Sequence, residues 1–205
     1  MPYDPPIVFV VDDDASVRKS LELLIESAGW AIEVFGSAQE FLARPRACGP
    51  CCLVLDVCLP DLNGLDLQTL VADRTEMPVI FITGHGDVPT AVRAMKAGAV
   101  EFLTKPVVAE RLIGAIRGAI DRSRAERDRA AGLRDLEAAY ASLSRREQEV
   151  MTLVVSGRLN KQVGGQLGIS EITVKAHRGR MMRKMHAGSL PALVRMADSL
   201  FVAAP

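Results

Sequence analysis

No stretch of this chain approaches the roughly 18 consecutive apolar residues that a membrane-spanning helix needs, although 49% of its 205 residues are hydrophobic. The apolar residues come in short runs, enough to fill one large domain or two small ones. The N-terminus, MPYDPP, lacks both the basic start and the apolar centre of a secretion signal. The expectation is a cytoplasmic protein with no membrane partner. Net charge is also missing, since 25 Lys+Arg balance 25 Asp+Glu. Histidine is scarce, and none of the 3 lies near the cysteines at 48, 51, 52 and 58, so a zinc site there has no imidazole to complete its ligands. Cys48 and Cys51 have thioredoxin-like spacing. A redox pair needs its first thiol at a helix N-terminus, where the dipole lowers its pKa, whereas these four residues run into a strand. Reduced, buried thiols are expected.

The zero net charge hides an asymmetry. Residues 1–106 carry 8 basic and 15 acidic side chains, 107–143 carry 7 and 6, and 144–205 carry 10 and 4. An acidic first part suits a cation, and a basic last part suits a polyanion.

The stretch CCLVLDVCLPDLNG, from Cys51 to Gly64, organises the first part. Cys51 to Leu55 are apolar on both faces and follow a Gly-Pro, as in a strand buried within a parallel sheet. The run ends on Asp56, where open α/β sheets place their ligands. A strand-end Asp can also cap the next helix, but Asp61 and Asn63 are better placed for that. Other apolar runs are Ile7 to Val11, Ala31 to Phe35, Pro78 to Thr83 and Val100 to Leu103. Between them lie helical patterns: one after Asp14 ending at Gly29, one opened by a Ser37–Glu40 capping box, one near Leu65 to Arg74, and one from Pro89 to Ala97. β-α five times predicts a five-stranded, doubly wound parallel sheet.

Asp12 and Asp13 follow the first strand, Asp56 the third, Thr83-Gly84-His85-Gly86 the fourth and Lys105 the fifth. All are C-terminal strand ends, so they share one sheet edge. Three carboxylates there repel unless a cation sits among them, and oxygen ligands with room for water suit magnesium. Such a site lets Asp56 attack a phosphoryl donor, with Thr83 and Lys105 binding phosphoryl oxygens.

VFVVDDD, LVLDVCLPDLNG and FITGHGDVPTAVRAMKAGAVEFLTKP together resemble the receiver domain of two-component systems, and the middle stretch resembles the FixJ/NarL group. The resemblance implies a flavodoxin-like domain over 1–120 whose Asp56 accepts phosphate from a sensor histidine kinase. It implies that Asp12 and Asp13 are the acidic pair, that Asp13 and Asp56 ligate the metal directly, and that Cys58 adds its carbonyl. Manganese would be a substitute for magnesium. Thr83 and Lys105 match the family's hydroxyl and lysine. The aromatic switch position is Phe102, which lacks the OH of the commoner Tyr. A cis Lys105-Pro106 bond is also implied.

From Val107 to Leu143 there is no proline, and 121–142 reads as a helical linker with Gly132 its weak point. Ser144 to Glu147 is another capping box. Helices follow near Val150, over Asn160 to Leu167, from Ser170 to about Met185, and after Ser189. Helix, Gly168 turn, helix is the helix-turn-helix pattern. The third of these helices carries Lys175, Arg178, Arg180, Arg183 and Lys184 against one acid, Glu171, as a helix bound in a DNA major groove would.

LSRREQEVMTLVVSGRLNKQVGGQLGISEITVKAHRGRMMRKM resembles the LuxR-type DNA-binding domain, taken as 143–205. By position Lys175 and Ala176 match base-facing residues, while Asn160, Lys161 and Thr173 match backbone-contacting ones. Ser170 and Arg183 complete the set. Gly179 stands where relatives often carry a basic residue that reaches the DNA, so Arg178 and Arg180 are expected to take over, with altered specificity. Gly164 and Gly165 each cost a helix about 1 kcal/mol relative to Ala, which predicts a soft second helix. The resemblances imply a DNA-binding response regulator that dimerises on phosphorylation, meets a double-stranded operator and engages RNA polymerase. It is no enzyme beyond removing its own phosphate. One rival is an aspartyl-phosphate phosphatase with Asp12 as nucleophile, which leaves Asp56 idle. Another is a receiver acting by protein contact alone.

Overall fold

The computed structural model describes residues 5–84 and 87–202; His85 and Gly86 of the expected turn lie outside the described residues. The chain divides into two compact units, Met1–Asp128 and Arg129–Pro205.

In the first unit the strands are β1 (Ile7–Val11), β2 (Ala31–Phe35), β3 (Cys51–Asp56), β4 (Val79–Thr83) and β5 (Glu101–Thr104), and the helices between them are α1 (Ala15–Ser27), α2 (Ala38–Leu42), α3 (Gly64–Leu70) and α4 (Val88–Lys96). The sheet order is β2-β1-β3-β4-β5, all parallel. Alternation along β3 explains its unbroken apolar run. Leu53 and Leu55 face a core with Phe9, Phe41 and Phe81, while Cys52 and Val54 face another with Ile25, Leu112 and Ile116. A strand covered on both sides has no position for a polar residue until it ends.

Caps set the helix starts. The Asp14 side chain accepts from Ser16 and Val17 N–H, and Asn63 accepts from Leu65 N–H. Asp61 accepts from Ala38 and Gln39 N–H at the start of α2, so Asp56 is free of capping. The box at α2 is offset: Ser37 accepts from Glu40 N–H, but Glu40 reaches back to Gly36 N–H rather than to Ser37. Helix α3 ends at Leu70, short of the expected Arg74, where backbone bonding changes to three-residue turns, Ala72 N–H donating to the Thr69 carbonyl and Arg74 N–H to the Val71 carbonyl.

α5 runs from Ala109 to Ala141 without interruption at Gly132. Within the first unit, Ser123 Oγ accepts from Cys51 N–H at 3.0 Å and Arg127 donates to the carbonyls of Ala47 and Cys48. Within the second unit, Leu136, Ala139 and Tyr140 pack on the core of α6 (Arg145–Val155), α7 (Asn160–Leu167), α8 (Glu171–Lys184) and α9 (Leu190–Val202).

Two expectations need correction. Cys51 and Cys52 are buried and burial pushes both thiols up, but Cys48 and Cys58 are exposed; all four are free. The first pair sits in the central strand and the second in the loops at its ends. Gly164 is also more than a soft spot. A Cβ there would lie 2.7 Å from the Ile169 carbonyl oxygen, whereas Gly165 faces open space. Gly164 lets α7 and the turn into α8 close on each other, sealed by Ile169 N–H bonding its carbonyl at 3.0 Å.

Candidate functional site

Asp12, Asp56, Thr83 and Lys105 come from four stretches that a parallel sheet brings to one edge. Lys105 Nζ lies 2.7 Å from Asp12 Oδ2 and 2.5 Å from Asp56 Oδ2. Its backbone N–H donates to the Thr83 carbonyl at 2.8 Å, which ties the end of β4 to the lysine. Lys105-Pro106 is cis. The second oxygen of each carboxylate accepts a backbone N–H: Asp14 N–H on Asp12 Oδ1 and Cys58 N–H on Asp56 Oδ1, both at 3.0 Å. Asp12 and Thr83 are buried and Asp56 is 5% exposed, while Asp13 is open to solvent.

Burial raises the Asp12 pKa, with the Lys105 bond only partly opposing it. Burial also pulls Lys105 down, but its bonds to Asp12 and Asp56 prevail and its pKa is raised, so the ammonium stays charged at neutral pH. The pocket thus holds a fixed cation between two acids, with a third acid at its rim. The carboxylate oxygens of Asp12, Asp13 and Asp56 can lie within 4.8 Å of one another. An all-oxygen cluster this close fits a hard divalent cation.

Gly64 frames this pocket. A Cβ on it would lie 2.3 Å from the Asp56 carbonyl oxygen, so only glycine lets the loop after β3 fold back against the strand end. Cys58 presents its N–H to Asp56 and an exposed side chain to solvent. Phe102, half-buried in β5, has its ring 6.2 Å from that of Phe81. Arg18, which the sequence did not single out, donates to the Asp12 carbonyl at 2.6 Å and anchors the β1 end to α1. No local pattern marks it.

In the second unit, Ser170 caps α8 by accepting Thr173 N–H, and the two hydroxyls lie 2.8 Å apart. Asn160 and Arg178 meet across the turn, Nη1 to Oδ1 at 3.1 Å. Lys161, Lys175, Ala176, Arg180 and Arg183 are exposed, and Gly179 is open on its helix face. Lys175 pairs with Glu171 at 3.2 Å; an exposed pair one turn apart is worth only about 0.3–0.5 kcal/mol, so the lysine is available. Lys184 departs from its neighbours. Its Nζ lies 2.7 Å from Glu147 and 3.0 Å from the Ser142 carbonyl, so it ties α8 to α6 rather than adding to the basic face. Lys184 and Ser144 N–H together hold the Glu147 carboxyl below its usual range.

A five-stranded parallel sheet with a lysine-bridged acidic edge, followed in one chain by a basic helix-turn-helix, defines the class of DNA-binding response regulators. The family "Response regulator receiver domain" matches residues 8–117 and "Bacterial regulatory proteins, luxR family" matches 141–197. The chain belongs to the two-component response regulators that join a receiver to a LuxR-type DNA-binding domain. It is similar to nodulation protein W of Bradyrhizobium diazoefficiens, 49% identical over 97% of this chain and 88% of that one. It is similar to response regulator protein TodT of Pseudomonas putida, 46% identical over 95% of this chain and 86% of that one. Among solved structures, the response regulator StyR superposes with a TM-score of 0.84 at 43% identity, covering 95% of this chain and 99% of that chain. No helix among the described residues is long and apolar enough to cross a membrane.

Proposed function

We propose that Asp56 is the phosphoacceptor and that its phosphorylation by a sensor histidine kinase controls dimerisation and operator binding. The reading rests above all on Lys105 bridging Asp12 and Asp56 at the sheet edge that also carries Thr83. A carboxylate oxygen of Asp56 attacks phosphorus, the P–N bond of the kinase phosphohistidine breaks as the P–O bond forms, and the imidazole leaves. Asp12, Asp13, Asp56 and the Cys58 carbonyl would hold magnesium, or manganese in its place, which neutralises oxygen charge on the incoming group. Lys105 lets go of Asp56 and binds a phosphoryl oxygen. The Thr83 hydroxyl binds another, and Phe102 follows Thr83 inward. The new group adds about −1.5 to −2 charge at pH 7, enough to change which contacts the lysine makes.

The output lies in the helix-turn-helix. Lys175 and Ala176 face bases, with the exposed Arg180 replacing the basic side chain that Gly179 lacks; Arg178, expected to share that role, lies on the inward line of α8 and holds Asn160 instead. Asn160, Lys161, Ser170, Thr173 and Arg183 hold the DNA backbone. Two such units on a phosphorylated homodimer match a two-fold operator, and the bound dimer engages RNA polymerase. The chain works in the cytoplasm and catalyses nothing beyond loss of its own phosphate.

The test is Asp56→Asn. It is expected to take up no label from radioactive acetyl phosphate with magnesium present, and to lose the gain in salt-sensitive DNA binding that beryllofluoride gives the unaltered chain. Label retained on the variant would refute the assignment.

A further inference from the structure

Val174, Met181 and Met185 are buried and mark the inward line of α8. Ile172, Ala176, Gly179 and Arg183 follow each other by four, three and four residues, so they form a second line along the helix. That line begins two residues from Val174, just over half a turn around, and therefore points directly away from the core. It is the outermost ridge of the helix that the proposed function lays in the major groove. Lys175 flanks it on one side and Arg180 on the other.

The ridge itself is uncharged for most of its length. Ile172 is 80% exposed, the highest exposure among the large hydrophobic side chains of the described residues. Ala176 is small, and at Gly179 even an added Cβ would meet only Arg183 Nη1, at 3.8 Å. Two small residues let the helix axis sit deep in a groove, and the one sizeable apolar group on the ridge then meets the groove floor. An exposed isoleucine in the first turn contributes nothing to the fold, since it packs against no core cluster.

Resting on the DNA-binding reading above, we propose that Ile172, together with Ala176, reads thymine C5-methyl groups, and so specifies A·T pairs beneath the N-terminal turn of α8. The thymine methyl is the apolar feature among the base edges of the major groove, where recognition is otherwise by hydrogen bonds. Recognition helices present their N-terminal residues to those edges. Lys175 on the flank is left to read a neighbouring guanine.

The experiment uses the full-length chain with beryllofluoride and magnesium. Duplexes are selected from a random library, and each thymine of the enriched motif is then replaced in turn by deoxyuridine, which lacks only the methyl. Burying one such carbon is worth about 0.8 kcal/mol, or about fourfold in affinity. At one or more positions deoxyuridine is expected to weaken binding by about that factor. Ile172→Ala is expected to lose that discrimination while keeping the salt dependence of binding, which reports phosphate contacts. Its exposure makes a folding defect an unexpected outcome, checked by circular dichroism. A motif insensitive to every deoxyuridine overturns the inference, as does an Ile172→Ala chain that discriminates as well as the unaltered one. Binding with no enriched motif also overturns it while leaving DNA binding standing. No salt-sensitive binding at all overturns the DNA-binding reading itself.

Discussion

The two units build their candidate sites in opposite ways. In the first, Asp12, Asp56, Thr83 and Lys105 are scattered over 93 residues of chain and meet because parallel strands all end on one edge. In the second, most of the exposed groups belong to one helix of 14 residues, α8, and need only the turn before it to be presented. The first site is a largely buried cluster of compensating charges with one acid at its rim, and the second is an open ridge. A pocket drawn from distant stretches is sensitive to any residue that spaces those stretches. A ridge on one helix is sensitive only to what holds that helix.

Glycines give the sharpest test of this contrast. Gly64→Ala is expected to have the largest effect, since its Cβ would press on the Asp56 carbonyl from 2.3 Å. A loss of about 1–3 kcal/mol is expected from such overpacking. It is read in urea unfolding by Trp30, the single tryptophan, which packs in the first unit. Acetyl phosphate labelling should fall with it. Gly164→Ala should cost less, about 1 kcal/mol, because relief of the helix penalty of glycine offsets part of the clash. Its loss should show in circular dichroism and DNA binding while the Trp30 transition stays in place. The neighbouring Gly165→Ala meets nothing within 4 Å and should stabilise by about 0.5–1 kcal/mol. If both alanines act alike, the close approach of Gly164 to Ile169 is wrong.

Acid offers a smaller effect that separates the units. Glu147 is 3% exposed and its pKa is lowered, first by Lys184 and then by Ser144 N–H. A depressed carboxyl stabilises the fold at neutral pH, and the contribution disappears as pH falls from the ordinary glutamate value through the lowered one. Glu147→Gln is expected to cost about 1–2 kcal/mol at neutral pH, as for loss of a charge-assisted hydrogen bond. It should also flatten the acid limb of the second unit's stability, measured by thermal unfolding at successive pH values. An acid limb as steep as in the unaltered chain would assign the dependence elsewhere.

Much of this was legible in the residues alone. The β3 run, the caps at Asn63, Ser144 and Ser170, and the bounds Asn160–Leu167 of α7 depend on neighbours a few positions away, which a sequence displays directly. The strand-end rule even brought Asp56 and Lys105 together, because parallel topology fixes which ends meet. What escaped was how elements close against one another. Lys184 looked like one more base on a basic helix until Glu147, 37 residues away, was seen beneath it. Arg18 and Gly164 meet backbone atoms only a few positions away, but across the end of an element, and no pattern in their own vicinity announces that; Gly64 was expected to shape the loop beside Asp56, but not to lie against its carbonyl.

The amino-acid order by itself determined the elements, their starts and the residue types available to each site, because periodicity and capping are short-range. Only the tertiary structure decided which lysine braces a helix, which glycine is indispensable, and which apolar side chain is left facing solvent. Those outcomes depend on how elements close against one another, and close packing, unlike capping, is settled only once every part is in place.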